Sequence, residues 1–459
     1  MMKILLLNCP YKEPIIRDNY CCFTSKSGYI WPPVDLLYLS GILKGRAELK
    51  IIDAVAEKIN WRETHKIIDS FDPEVIIALT GTVSYQVDLN GLKALNDKKI
   101  YLMGNTPCFR PEFFLKKYSF VDGIIHNFFN PSIVDYLIGK NTECESISYR
   151  NKDHSLHLGK INYLKPMSVV RLAKPPQYHL FPIGRYSTPI IRNKPMMTAM
   201  TSFGCPFNCK FCIASALTYY RRDIRDLKKE FDEMKKSGVK EIFFEDSTFN
   251  TYIPYLEKIC NLLIRGKYGF SWSANVHSFN LSEPLLNLMK KAGCHTVQIG
   301  VESGNSDILK EYAPSKGLTR LKSAFDLCKK VGIRTLGYFI IGFPKDNVET
   351  AQETIDFAKK LNPNFASFSI MTPDYGTKLH EEVTAKKMFY DDSIKKFDSS
   401  EKAIIDNKRF PRKDQNRMLK KAYRNFYGRP SKLLSYTLDY RGIILYLKNG
   451  LRLVVKKIL

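Results

Sequence analysis

The chain has 459 residues, 44% of them hydrophobic and 25% charged, with a formal net charge of +25. This composition excludes a disordered or fibrous protein, and the length calls for two or three domains. No run of 18 or more uncharged apolar residues occurs, so no membrane-spanning helix is expected.

The N-terminal apolar run Ile4 to Leu7 is too short for the core of a secretory signal and reads as a first strand. A cytoplasmic chain is therefore expected, with its eleven cysteines reduced. Through residues 1–139, short apolar runs (ILLLN, KIID, VIIALTG, KIYLMGN, VDGIIHN) alternate with helix-length segments such as PPVDLLYLSGILKG. That alternation predicts βαβ units and a parallel sheet, a Rossmann-like domain in the α/β class. Residues 140–194 lose this periodicity and gather prolines (Pro166, Pro175, Pro176, Pro182, Pro189), as a linker would.

A second array spans residues 195–380, with strand candidates MMTAMTSF, KEIFFEDS, FSWSANV, CHTVQIGV, RTLGYFIIGF and FASFSIMT. Six strands with intervening helices predict a partial (β/α)6 barrel. Residues 381–459 form a basic helical C-terminal region: from Glu401 onward sixteen Lys and Arg face four Asp and Glu, a surplus of twelve. In the last segment Ile443, Leu447, Leu451 and Val455 fall on one helical face. Three readings of this tail stay open: packing on the barrel, contact with an anionic membrane surface, or contact with a nucleic-acid backbone, the last disfavoured by its few aromatics.

The chemistry concentrates in GCPFNCKFC, where Cys205, Cys209 and Cys212 directly follow the first strand of the second array. In such folds active sites sit at the carboxyl ends of strands. A structural zinc site closes with four ligands, and no nearby Cys or His supplies a fourth. Three thiolates on an iron–sulfur cubane leave one iron open to a ligand, and that is the expected arrangement. The other cysteines (Cys9, Cys21, Cys22, Cys108, Cys144, Cys260, Cys294, Cys328) lack regular spacing and are expected in packing or loops. His295 and His380 are single histidines expected on the surface or in the core rather than as bases, and no Walker loop, Gly-x-Gly-x-x-Gly or nucleophile elbow occurs.

This loop, with aromatic Phe211 before its last cysteine, resembles the signature of the radical S-adenosylmethionine (SAM) superfamily. The resemblance implies a 4Fe-4S cluster on the three cysteines, SAM on its open iron and reductive cleavage of SAM to a 5′-deoxyadenosyl radical. It also implies SAM contacts from FFEDSTF (Asp246, Ser247), SANVH (Asn275), GVESG (Glu302, Ser303) and GYFIIGFP (Ile341). His277 stands where relatives often carry arginine, and Pro314 lies near the usual place of a cation, for which Lys316 is a substitute.

A Rossmann-like domain ahead of the barrel, WPPVDLLYLSGIL and the later YRNFYGRP resemble the cobalamin-binding radical SAM group of C-methyltransferases and the anaerobic chlorophyll-ring cyclase. Cobalamin contacts are then expected in ALTGTVS (Thr80, Thr82, Ser84) and at Gly104 of MGNTP. The chain departs from the group at Gly104–Asn105, where relatives often have Gly-Gly, and at HNFFN, and it lacks Asp-x-His-x-x-Gly. The resemblance implies cobalamin-dependent methylation, with non-methylating radical cyclisation or rearrangement and a non-catalytic metal-binding protein as alternatives. It further implies a small-molecule or lipid-linked substrate and a one-electron donor of flavodoxin or ferredoxin type. Peripheral contact with the inner membrane face through the basic tail is a further expectation, and a nucleic-acid partner is not expected.

Overall fold

The computed structural model describes residues 1–390 apart from 163 and 173, together with 398, 403–430 and 432. The amphipathic segment expected over Tyr440 to Leu459 lies outside the described residues.

The first half is built on β1 (Lys3–Asn8), a short hairpin of β2 (Ile15–Arg17) and β3 (Cys22–Thr24), α1 (Val34–Leu43), β4 (Glu48–Asp53), β5 (Val75–Leu79), β6 (Lys99–Met103) and β7 (Gly123–Ile125). The sheet continues through β8 (Ile147–Arg150) and β9 (Leu156–His157), which lie in the proline-rich stretch read as a linker. Its order is β4-β1-β5-β6-β7-β8-β9, parallel up to β7 and antiparallel at the last two strands. The parallel strands are apolar runs with few alternations because helices cover both faces: Ile4 to Leu7 and Val75 to Leu79 are wholly buried. The chain leaves β1 for β4 on one side and returns to β5 on the other, so the crevice at the strand ends opens between β1 and β5.

Three short strands follow: β10 (Val169–Val170), β12 (Ser202–Phe203) and β13 (Tyr220–Arg222) pair as β10-β13-β12. The second large sheet has six parallel strands in the order β11 (Met196–Ala199), β14 (Glu241–Phe244), β15 (Ser271–Val276), β16 (Cys294–Glu302), β17 (Arg334–Ile341) and β18 (Phe365–Ile370). This is the expected partial barrel, left open between its first and last strands. In β17 and β18 alternate residues are buried under the helices while Leu336, Tyr338, Ile340, Ser367 and Ser369 face the other way. The helix Arg412–Tyr427 packs on β18, where Tyr423 Oη donates to the Phe368 carbonyl at 2.9 Å and Tyr427 Oη to that of Ala366 at 2.7 Å. YRNFYGRP is therefore part of the barrel wall, and packing on the barrel is what the described part of the basic tail does.

The first half also closes the barrel. Lys26 donates to Ser369 Oγ at 2.6 Å and the Phe368 carbonyl at 2.9 Å, and Trp31 stacks edge-on against Phe243 at 4.7 Å while its Nε1 donates to Glu245 at 3.0 Å. Behind them lies a buried polar clamp. The Tyr38 hydroxyl on α1 receives the Met200 amide at 2.7 Å and donates to Glu230 at 2.9 Å. Glu230 also accepts from Tyr178 at 2.7 Å and pairs with Arg222 at 2.5 Å. Tyr38, Glu230 and Arg222 are all at most 2% exposed, so each depends on the others to offset lost hydration. Arg222→Met leaves the Glu230 carboxylate without a cation and is expected to cost about 3–5 kcal/mol of stability, with Arg222→Met/Glu230→Leu recovering part of it. Urea unfolding midpoints of the three proteins check this.

Candidate functional site

The three cysteines lie in a loop whose base is an antiparallel ladder, Ser202 opposite Arg221 and Phe203 opposite Tyr220. Met200 and Arg222, the residues flanking that ladder, are the two held by Tyr38. Gly204 begins the loop at φ +65°, and a Cβ there would lie 2.5 Å from the Thr218 carbonyl oxygen, so the turn accepts only glycine. Cys205, Cys209 and Cys212 are half-buried free thiols. The Cys212 amide donates to the Cys209 carbonyl at 3.2 Å, and Ser215 Oγ donates to both carbonyls, which fixes the second turn of the loop.

Burial pushes the Cys212 thiol up to about 12, reinforced by Cys209 and Cys205, so the three sulfur atoms share one electrostatic environment. Cys209 is raised to about 11 by burial, opposed by the Lys316 ammonium. Among the described residues no three His, Cys, Asp or Glu side chains gather tightly enough to hold a single metal ion. A half-buried trio of thiols spread around a loop fits a larger inorganic cluster.

Beside the loop, Lys316 donates to Glu302 Oε1 at 2.7 Å and to the Gly300 carbonyl at 2.6 Å, with both side chains about nine-tenths buried. The register of β16 against β17 slips between Gly300 and Glu302, and Glu302 takes the left-handed conformation at φ +66°. This bulge turns the carboxylate back onto Lys316, a strained backbone of the sort that sites use. Phe211 packs with Phe343 at 5.5 Å, and Thr248 Oγ1 lies 3.6 Å from Cys205 Sγ.

The structure places the other expected SAM contacts unequally. Ser247 is half-buried at the end of β14 and caps no helix, since the next helix begins at Ile253. Asn275 donates to the Asp246 carbonyl at 3.2 Å. Asp246 itself points inward: its carboxylate accepts from the Thr201 amide and hydroxyl at 2.9 and 2.6 Å and from Ser202 Oγ at 2.5 Å. Ser303 is spent on Thr354 and the Asn305 amide. Ile341 is fully buried in the core under the helices, while its neighbour Ile340 faces Phe211 and Phe343, because side chains alternate along β17. His277 stacks on Phe207 at 4.1 Å, and both its nitrogens are engaged, with Ser315 Oγ and the Phe279 amide.

At the first sheet the four expected cobalamin contacts are occupied by one another and by the hairpin. Thr80 and Ser84 donate to Asp88 at 2.5 and 2.6 Å, and Thr82 bonds Thr106 at 2.6 Å. Gly104 has φ +116°, and a Cβ would sit 1.8 Å from the Thr80 carbonyl oxygen, so the crossing of two backbones explains this glycine. Sequence reasoning missed the residues between the halves. Asp18 and Asp35 from the first half and Glu245 from the second are buried near one another, and none has a cation partner among the described residues. Both oxygens of Asp35 and Oε2 of Glu245 lack a hydrogen bond of good geometry, although the Asn19 amide lies close to Asp35. Their only sequence signal was acidity next to aromatic segments.

A cavity between the halves is lined by Asn19, Tyr20, His126, Phe129, Gly204 and Thr218, which joins the cysteine loop to the ends of the first sheet. His126 Nε2 meets Ser148 Oγ at 2.6 Å. Burial lowers its pKa from 6.5 to about 4. The unfolded chain thus takes up a proton between these values that the folded chain refuses, and stability falls as pH drops through that window, by up to about 1.4 kcal/mol per unit. His126→Gln is expected to lose less stability than the native chain between about pH 7 and pH 5, as read from denaturation midpoints.

Comparison with known proteins agrees with this geometry. Residues 200–358 match the model of the radical SAM superfamily. An uncharacterized methyltransferase of Pyrococcus horikoshii is 30% identical over 97% of this chain and 96% of its own length. The anaerobic magnesium-protoporphyrin IX monomethyl ester cyclase of Rubrivivax gelatinosus is 25% identical over 82% of this chain and 70% of its own. Among solved structures, the cobalamin-dependent SAM radical enzyme OxsB, with aqua-cobalamin and SAM bound, superposes with a TM-score of 0.71 at 16% identity, covering 97% of this chain and 72% of that one. The chain belongs to the radical SAM superfamily, whose enzymes work with a 4Fe-4S cluster and SAM, act on small molecules and draw an electron from an external donor. No described helix is long and apolar enough to cross a membrane.

Proposed function

We propose that this enzyme is a cobalamin-dependent C-methyltransferase whose cluster is held by Cys205, Cys209 and Cys212. The observation that carries the reading is the double attachment of the cysteine loop to α1 through Met200 and Arg222, which ties that loop to the first half of the chain. When bound, the cluster supplies the electron that cleaves SAM, and cobalamin supplies a transferable methyl group. The similarity to a methyltransferase along nearly the whole chain supports that outcome.

The chain's own part is positioning and exclusion of water. Lys316 and Glu302 form a buried ion pair that offers both signs of charge to the amino-acid end of SAM, and the bulge at Gly300 keeps them at the loop. Phe211, Phe343 and Ile340 form an apolar wall beside the thiols. Trp31 and Lys26 seal the barrel from the other side. Between the halves, both oxygens of Asp35 and Oε2 of Glu245 lack good hydrogen bonds and burial favours their protonated forms, and the primary amides around a corrin ring can both donate to and accept from such groups. These residues fit the ring of cobalamin. Thr80, Thr82 and Ser84, expected to meet its nucleotide tail, already spend their hydroxyls within the fold.

Anoxic reconstitution with iron, sulfide and cobalamin, followed by incubation with SAM and a reductant, tests the reading. Corrin absorption that stays with the protein after gel filtration is expected, along with 5′-deoxyadenosine formation that Cys209→Ala abolishes. Cleavage of SAM by protein that retains no corrin points instead to a non-methylating radical reaction, the reading favoured by similarity to the ring cyclase.

The surplus of cations beyond residue 401 supports peripheral contact with an anionic membrane and an acidic electron donor such as flavodoxin. Deleting residues 440–459 is expected to weaken sedimentation with phosphatidylglycerol vesicles and leave binding to neutral vesicles unchanged.

A further inference from the structure

In open α/β sheets, ligands enter the crevice where the strand order reverses, here between β1 and β5. In this chain the crevice is filled from within. Arg17, at the end of β2, is 3% exposed and spreads its guanidinium across it. Nε donates to Ser84 Oγ at 2.8 Å, one terminal nitrogen donates to Asn8 Oδ1 at 2.9 Å and the Cys9 carbonyl at 2.7 Å, and the other pairs with Asp88 at 2.9 Å. Asp88 is fully buried and also receives Thr80 and Ser84.

The hairpin that carries Arg17 is fastened on both sides. The Asn105 amide donates to the Asp18 carbonyl at 3.0 Å, and Gly81 abuts Cys22 so closely that a Cβ would lie 2.5 Å from the Cys22 Cβ. The nucleotide tail of cobalamin brings a phosphate anion and a flat aromatic base. Among the described residues the donors named here are already engaged with one another, and the one cation, Arg17, is matched by Asp88, which leaves no spare charge for the phosphate. Opening the crevice requires breaking a buried ion pair whose members are each hydrogen-bonded elsewhere.

We infer that this enzyme grips its corrinoid by the ring alone, between the two halves, and leaves the nucleotide tail outside the first sheet because Arg17 and Asp88 hold the crevice shut. The inference rests on the cobalamin reading above. It predicts indifference to the tail: a corrinoid without one, cobinamide, binds as well as cobalamin, and a cobalamin carrying a bulky fluorophore on its ribose binds as well as the parent.

The test is an absorbance titration of the native, cluster-loaded protein with these three compounds under anoxic conditions, which needs no turnover. Dissociation constants agreeing within about threefold support the inference. Cobinamide or the ribose conjugate binding more weakly than cobalamin by about tenfold or more overturns it, because the tail is then part of the recognised ligand. Failure of all three to bind overturns the cobalamin reading itself, and the inference with it.

Discussion

The phenol of Tyr38 is the point through which the two halves of this protein are registered. It is bonded to Met200 before the cysteine loop, to Arg222 after it and to Glu230 on the neighbouring helix Ile224–Lys236. A loop of about twenty residues would otherwise have many conformations to lose on ordering. Fixing both of its ends to one buried hydroxyl removes most of that freedom and ties the loop to α1. The aromatic cluster of Tyr38, Phe128, Phe129 and Phe203 fills the space around the clamp, with Phe129 and Phe203 ring centroids 3.6 Å apart. The polar atoms of the clamp are therefore shielded from water and strong.

Charge is distributed unevenly inside the molecule. Three buried charges are matched by an opposite charge: Arg17 with Asp88, Arg222 with Glu230 and Lys316 with Glu302. Each of these pairs shapes an opening by closing one part of it. Asp35 and Glu245, in contrast, are buried with acceptor atoms unmet, and both carboxyls are pushed well above the usual carboxylate range by burial and by their mutual repulsion with Asp18. The same fold thus contains satisfied ion pairs as struts and unsatisfied acids at the surface where the halves meet. That contrast is the ground for the ring site proposed between the halves.

Much of this was legible in the amino-acid sequence, for reasons that can be named. Continuous apolar runs such as Ile4 to Leu7 and the strand FIIGF announce buried parallel strands, because helices cover both faces. The spacing of the three cysteines pointed to a cluster, and the segment GVESG pointed to Glu302, which the fold pairs with Lys316. Ile341 was expected to contribute its backbone, and its buried side chain agrees with core packing, while the side chain of Ile340 lies on the other face of β17. Asp246 was read as reaching outward, yet three donors from Thr201 and Ser202 draw it in. Arg17 and Tyr38 left no local signal for their contacts with Ser84, Asp88, Met200 and Glu230, which lie 67 to 192 positions away in the chain. Long-range polar contacts of this kind exist only once the two sheets have been brought together.

The central claim is that three thiols leave one corner of an iron–sulfur cluster free for SAM. Electron paramagnetic resonance of reduced, anoxically purified protein, recorded with and without SAM, tests it most directly. The account predicts a cluster signal in the native protein that shifts when SAM is added, and no such signal in Cys212→Ala. A protein that carries zinc in place of iron, or a cluster signal that is indifferent to SAM, would contradict it.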